Sequence, residues 1–436
     1  MPLPDCHESP RLRKLLLVGA STRAAAFSAQ RAGFEPICID MFADADLQAV
    51  ADVRPVRRYP DDVIEAAAAV DPTVPWLYTG GIENHPEIVE EISLRRSLWG
   101  NDAATLRLVR DPAWVRDTLQ HAGFPSLNVI IPEPSASADP PPRDGLWMLK
   151  PLGGAGGRGV CFCDATFRTS PTLHEPHYFQ RHATGDSIGA LFLAFADRTE
   201  LIGIARQLVG WAELDAVPFA YCGSIGPVRL AAAAESTIRR VGETLRKAAS
   251  LRGLFGCDFV FDGETPWLVE VNPRYTASAE ILELATGVPL LKWHRRACSG
   301  STGEQGSETL APHPRPLSPF GGEGRSEYSV LNTQHSAGTV HQAQFVTHPS
   351  SLIGKAILYA DRDLTATAWP RRVLAASPWS VPFLADIPPA GAMSPANWPL
   401  CTAFARGDDE ASVLAKLVRR ARRVRSRFLE SGTAAG

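Results

Sequence analysis

The chain has 436 residues, of which 45% are hydrophobic and 21% charged, with a formal net charge of −3. That length predicts roughly two to four domains rather than one simple core, the composition is that of a soluble globular enzyme, and the near-neutral balance argues against a general nucleic-acid binder. No apolar run approaches the ~20 residues a membrane helix needs, so no membrane association is expected. Leu15–Val18 is too short for the core of a signal peptide, and the eight cysteines, with no CxxC pair, predict reduced thiols in a cytoplasmic protein, without disulfides or structural zinc.

In chain order, "RLRKLLLVGASTRAAAFSAQRAGFEPICID" reads strand, glycine turn, helix, strand. Leu15 to Val18 is a continuous apolar run, as in a buried parallel strand; Ser21 is placed to cap the alanine-rich helix, and Gly33 ends it. Asp40 follows Gly19 at the distance of the acid in a dinucleotide site, but the second and third glycines of GxGxxG are missing, which favours a plain α/β unit. A strand in "VPWLYTGG" and a helix from about Pro86 complete an α/β domain over residues 10–108. In "GGIENHPE", Asn84 suits a helix cap, and the paired glycines equally suit a loop facing a ligand. "DPAWVRDTLQHAGFP" is a helix from Asp111-Pro112 to Gly123. Residues 132–142 are proline-rich and predict an exposed loop, while His174 and His177 sit among prolines and predict a solvated loop rather than a zinc pair. Strands and helices alternate over the rest of a domain spanning 109–298. Residues 299–335 are rich in Gly, Ser, Pro, Glu and Arg and lack apolar periodicity, which predicts a disordered insertion. A last module, 336–436, reads as short strands followed by a basic amphipathic helix, with Leu414, Leu417 and Val418 on one face; that face predicts docking to the protein rather than to nucleic acid.

Three stretches carry chemistry. "GCDFVFDGETPWLVEVNPR" predicts a β-hairpin with its turn in "DGETP". A register symmetric about Glu264 sets Asp258 opposite Glu270 on one face. Opposed carboxylates repel unless a cation lies between them, and Mg²⁺ accepts such oxygen sets together with an amide oxygen and phosphates. Asn272 adds that amide on the same face, and Arg274 follows it. In "WMLKPLGGAGGRGVCFC" a strand ends at Lys150, and Gly153, Gly154, Gly156, Gly157 and Gly159 then let backbone N–H groups approach an anion closely, with Arg158 adding charge. The GK[ST] ending of a Walker loop is absent. "HYFQRHATGDSIG" supplies Gln180, Arg181 and His182 at a strand end, where a nucleotide base could lie against the strand edge.

In this order and spacing, these stretches resemble the ATP-grasp superfamily over most of residues 10 to 295. The resemblance implies an α/β and α+β architecture: a Rossmann-like pre-grasp domain, two grasp subdomains clamping ATP, and a β-rich C-terminal module. It implies that Lys150 with Gly153, Gly154, Gly156, Gly157 and Arg158 holds the ATP phosphates, and that Gln180, Arg181 and His182 border the adenine. It implies that Asp258, Glu270 and Asn272 bind Mg²⁺ (or Mn²⁺), and that Arg274 stabilises an acyl-phosphate step. Two positions depart from the family. The second phosphate-binding lysine of its D-K pair is replaced by Asp111-Pro112, with Arg110 as the nearby cation. The glutamate of bicarbonate-using members, four residues after the arginine, is Ser278, with Glu280 the nearest acid, which argues against bicarbonate.

"STRAAAFSAQRAGFEPICID", "TGGIENHPEI", "ARQLVGW", "YCGSIGPV" and "ADIPPAGA" are similar to predicted carboligase-like proteins of one-carbon cofactor (methanofuran/tetrahydromethanopterin) biosynthesis, including tyramine–glutamate ligases. The function implied is an ATP-dependent carboxylate–amine ligase acting on small-molecule acid and amine substrates, with a homodimer left open. Arg274 and Arg206 are expected near the acid, and Trp211 and Tyr275 as a stacking wall for an aromatic amine. The rival readings are a nicotinamide-dependent oxidoreductase using the N-terminal domain and a non-catalytic ATP-binding regulator. Deleting residues 303–326 should leave the melting temperature within about 2 °C of the full chain, because a segment without apolar periodicity contributes no core; a large drop in a calorimetric scan would show that the segment is packed.

Overall fold

The computed structural model describes residues 13–132, 143–164, 176–299, 351–369 and 377–432. The expected insertion, the greater part of the proline-rich stretch and His174 therefore lie outside the described residues. The N-terminal sheet consists of β1 (Arg13–Val18), β2 (Phe34–Asp40), β3 (Asp52–Pro55) and β4 (Trp76–Tyr78), all parallel, in the order β3-β2-β1-β4. Leu15, Leu16, Leu17 and Val18 are fully buried, as a parallel strand covered on both faces requires. Ser21 does not cap the following helix, Arg23–Arg31. Its N-cap is Thr22, which makes no side-chain cap bond, because Thr22 N and Oγ1 donate instead to Asp40 Oδ2 at 2.6 and 2.8 Å.

A small antiparallel sheet follows, made of β5 (Val129–Ile130), β6 (Trp147–Pro151), β7 (Cys161–Phe162) and β8 (His177–Arg181), in the order β5-β8-β6-β7. The helix Pro112–His121 leads into it and is capped as expected: Asp111 accepts from the N–H groups of Ala113 and Trp114, Pro112 occupies the first turn, and Gly123 follows with φ +74°.

The rest of the described chain builds one eight-stranded antiparallel sheet. Its first five strands are β9 (Asp186–Ala194), β10 (Thr199–Val209), β11 (Tyr221–Val228), β12 (Gly253–Phe261) and β13 (Pro266–Asn272). β14 (Leu352–Tyr359), β16 (Leu384–Ala385) and β18 (Pro399–Gly407) extend it, in the order β13-β12-β9-β10-β11-β14-β18-β16, while β15 (Leu364–Thr365) and β17 (Met393–Ser394) form a ribbon apart. The C-terminal strands are thus continuous with the sheet that carries the hairpin. β14 reaches β11 because residue 223 is glycine: with φ +148°, a Cβ there would stand 2.1 Å from the Lys355 carbonyl. The basic helix Glu410–Gly432 packs on β14 and β18 through Val413 and Leu417, both buried.

A buried ion cluster fastens the N-terminal domain to this sheet. Arg23, 1% exposed, donates from Nη2 to Glu280 at 2.8 Å and from Nε to Asp386 at 2.7 Å. Lys355 of β14 reaches the same Glu280 at 3.3 Å, and Arg31 pairs with buried Glu283 at 2.7 Å. Burial alone would raise the Glu280 carboxyl, but Arg23 and Lys355 outweigh it and hold the group at about 2. Arg23→Met should destabilise the protein by about 3–5 kcal/mol, the cost of leaving a buried charge without its partner. Urea unfolding measures this, and a loss below about 1 kcal/mol would mean that Lys355 alone suffices for Glu280.

Candidate active site

The hairpin pairs Asp258 with Glu270, Cys257 with Val271 and Gly256 with Asn272; a bulge between Asp258 and Phe259 then shifts the remaining pairs by one, so that Phe259 faces Leu268. The symmetric register thus holds on the half that carries the carboxylates. The turn is fixed by Asp262, which accepts from the N–H groups of Glu264 and Thr265 at 2.9 and 2.7 Å and from the Trp267 indole at 2.8 Å.

Both carboxylates face a cavity of about 790 Å³, also lined by Lys150, Gly154, Gly156, Gly157, Arg158, Gln180, Arg181, His182, Asn272 and Arg274. Gly153 is absent from the lining and belongs to the loop's outer side, where its carbonyl accepts from Asn84 at 2.8 Å. Gly157 is required by close approach: at φ +79° a Cβ there would lie 1.8 Å from the Phe219 carbonyl oxygen.

Charge in the cavity is tightly compensated. Asp258 accepts from Gln207 at 2.7 Å and from the Asn272 amide nitrogen at 2.8 Å. Burial, and then the Glu270 charge, push its carboxyl up to about 6. Burial would raise Glu270 too, but the Arg110 and Lys150 charges outweigh it and hold that carboxyl below its ordinary value; the Arg110 guanidinium bonds it directly. Lys150 donates to Gln180 at 3.0 Å, across the β6–β8 pairing, and burial lowers its ammonium below the ordinary value. Arg274 donates from Nε to Glu83 at 2.6 Å and from Nη2 to the Asn272 amide oxygen at 3.2 Å. Asn272 therefore lies between Asp258 and Arg274, its nitrogen on one and its oxygen on the other.

Several expected residues make other contacts. Arg158 donates to the Asn397 carbonyl at 3.2 Å and lies over the Trp398 ring. β8 is flanked by β5 and β6 rather than lying at an edge, and the N–H groups of Arg181 and His182 donate to the Asn128 and Leu146 carbonyls, each at 2.8 Å. Beyond them, Ala183, Thr184 and Gly185 of the connector line the cavity. Arg206 and Trp211 do not line it; Arg206 pairs with Asp186 and Glu410 instead. Tyr275 lines it but is buried, 4% exposed. Asn84 does not cap a helix: His85 precedes the helix Pro86–Ser93, and the Asn84 side chain reaches the glycine loop. Asp40 has no valence left for a ribose, since Thr22, Phe42 and Ala43 all donate to it, which removes the feature behind the nicotinamide reading.

The sequence reading missed Gln207, Glu83 and Lys355. Glu83 is 1% exposed and lines the cavity beside Arg274, with its second carboxylate oxygen buried and without a partner. The only sequence signal for it was the paired-glycine loop. Lys355, 4% exposed on an otherwise apolar strand, lines the far end of the cavity with Arg23, Ser278, Asp386 and Thr402.

Among the described residues no three His, Cys, Asp or Glu side chains cluster as a metal site. The oxygens present are two opposed carboxylates and one amide, each already hydrogen-bonded within the protein, a hard oxygen set short of a full shell. It suits a cation that takes its other ligands from water and phosphate, as Mg²⁺ does.

Residues 122–278 match the model of the ATP-grasp domain family. A 50-residue stretch, 12% of this chain, is 42% identical to carbamoyl phosphate synthase large chain from Clostridium acetobutylicum and covers 5% of that protein. The fold superposes on Rhizobium etli pyruvate carboxylase with TM-score 0.63 and 14% identity, over 94% of this chain and 36% of that one. It also superposes on L-amino acid ligase from Bacillus licheniformis with TM-score 0.60 and 14% identity, over 94% and 96%. This chain therefore spans only a small part of the first relative and about a third of the first structure.

Asp258 has a consequence for stability. A carboxyl raised on folding costs stability once it ionises, so its penalty is absent below the unfolded pKa and grows as pH rises from about 4 toward its folded value of about 6. Metal-free Asp258→Asn should melt above the parent at pH 7.5, and the gain should vanish near pH 4 in calorimetric scans; equal melting at pH 7.5 would show that Gln207 and Asn272 compensate the charge in full. Residues 122–278 are thus similar to an ATP-grasp domain, and the chain as a whole shares the fold of the two superposed enzymes.

Proposed function

We propose that the protein is an ATP-dependent carboxylate–amine ligase working through an acyl phosphate. The observation that carries this reading is one continuous cavity joining three parts: the glycine loop with Lys150, the Asp258–Glu270 pair, and a far end lined by Glu83, Arg274, Lys355 and Asp386. A nucleotide held at the first two leaves the third for the acid and the amine.

Asp258, Glu270 and Asn272 are the residues that would hold Mg²⁺, which supplies charge compensation for the transferring phosphoryl group. The chain's own residues do the rest. Glycine-loop N–H groups and Lys150 orient the phosphates, with Arg158 reaching them only if it leaves Asn397 and Trp398, and Met148, Gln180 and Leu268, which line the cavity, are assigned to the nucleoside. Arg274, held by Glu83, faces the carboxylate oxygen that attacks the γ-phosphoryl group and afterwards the acyl phosphate. Because there is little covalent chemistry for the protein to perform, positioning and fixed charge account for the rate. The amine nitrogen then attacks the acyl carbon, the C–O bond to phosphate breaks with its electrons leaving on phosphate, and the amine's proton goes to water or to a carboxylate at the far end.

The acid we propose is glutamate or a similar amino acid, and the acceptor a small aromatic amine or a cofactor precursor of the one-carbon type. The mixed charge of the far end suits a zwitterion, and Ser278 in place of a glutamate disfavours bicarbonate. The similarity to one-carbon cofactor ligases supports the acceptor class, and a homodimer working in the cytoplasm is part of the same reading. With ATP, Mg²⁺, glutamate and tyramine, the protein should release ADP and form the amide, read by mass, while Glu270→Gln should lower turnover at least about 100-fold with the fold intact. ADP release with bicarbonate alone would overturn the substrate assignment. ATP binding without turnover on any acid–amine pair would favour the regulator.

A further inference from the structure

Arg110 touches all three parts that meet over the phosphate end of the cavity. It follows the helix Ala103–Val109 as its C-cap and lines the cavity wall. Its Nη1 bonds the Glu270 carboxylate and lies 3.4 Å from the Val271 carbonyl. Its Nη2 donates to Asn84 Oδ1 at 2.9 Å and to the Gly154 carbonyl at 3.2 Å, and its Nε is buried without a partner. Asn84 in turn donates to the carbonyls of Gly153 and Gly154 at 2.8 and 3.3 Å. One guanidinium thus ties the hairpin, the N-terminal loop and the glycine loop together, and it sits on the carboxylate that the proposed function gives to a metal ion.

We propose that Arg110 is a resident counter-cation of this site: it neutralises Glu270 in the nucleotide-free protein and excludes free divalent metal, and it yields Glu270 only when phosphates arrive to take the guanidinium. Two opposed, half-buried carboxylates need compensating charge beside them. Asp258 obtains dipoles from Gln207 and Asn272, whereas Glu270 has the Arg110 ion pair. A lone metal ion must therefore displace a hydrogen-bonded guanidinium, and the other carboxylate that acts on it, Glu83, is already bonded by Arg274. A metal–nucleotide complex brings its own acceptors, and a guanidinium matches phosphate oxygens in the same forked geometry as a carboxylate. Metal and nucleotide then bind as one unit. The freed guanidinium also leaves the Gly154 carbonyl to Asn84 alone, which loosens the hold on the glycine loop as the phosphates enter.

The inference rests on the ATP and metal site proposed above, and its test separates the two. Mn²⁺ binding is followed by the loss of the free-ion electron paramagnetic resonance signal, and ATP binding in Mg²⁺ by calorimetry, for the parent, Arg110→Met, Arg110→Gln and Arg110→Met/Glu270→Gln. Arg110→Met and Arg110→Gln should bind Mn²⁺ without nucleotide about tenfold or more tightly than the parent and should bind ATP about tenfold more weakly. The double variant should lose the gain in Mn²⁺ affinity. Unchanged or weaker Mn²⁺ binding in both single variants overturns the role of Arg110, provided the parent binds ATP with Mg²⁺. A parent that does not bind ATP with Mg²⁺ overturns the site itself, and the inference with it.

Discussion

Two carboxylates on neighbouring strands of one hairpin set the conditions for everything around them. Asp258 and Glu270 are fixed opposite each other by backbone pairing, so their repulsion cannot be relieved by moving apart. It is relieved by an amide of the hairpin itself, Asn272, and by what is brought to it: an amide from β10, a guanidinium from the end of the helix Ala103–Val109 and an ammonium from β6. Three elements outside the hairpin therefore meet at one electrostatic problem.

The same principle operates a second time, behind the cavity. Glu280 is fully buried and takes up both Arg23 from the N-terminal domain and Lys355 from β14. The far wall of the cavity is thus also the joint between domains. Lys355 thus faces the cavity while belonging to the ion cluster that holds the N-terminal domain in place.

The sequence made the local features legible and left the distant ones hidden. The hairpin register followed from turn chemistry and period-two alternation, both set within twenty residues, and the structure has that register on the half that matters. The bulge after Asp258 left no trace in the pattern. The buried strand Leu15–Val18, the Asp111 cap and the glycine loop were legible for the same reason. Ser21 looked like a cap, but its neighbour Thr22 is committed to Asp40, eighteen residues away. Asp40 itself suggested a ribose ligand until the structure showed its oxygens already taken. Glu83, Lys355 and Gln207 reach the site from three elements far apart in the chain, and no spacing rule connects them. Arg206 and Trp211 had suitable chemistry, but strand parity and position place them away from the cavity.

The continuity of the eight-stranded sheet bears on how the chain comes to be built. β11 pairs on one side with β10 and on the other with β14, which lies more than a hundred residues later. While the polypeptide is being made, the hairpin, the carboxylates and the glycine loop all emerge before the strand that closes this edge. For that interval the sheet presents an open row of backbone donors and acceptors at β11, the arrangement that invites pairing with other chains. Buried Glu280 also waits for Lys355 throughout it. The cleft is therefore encoded early in the chain, and the sheet edge beside it is covered late, by β14 and β18.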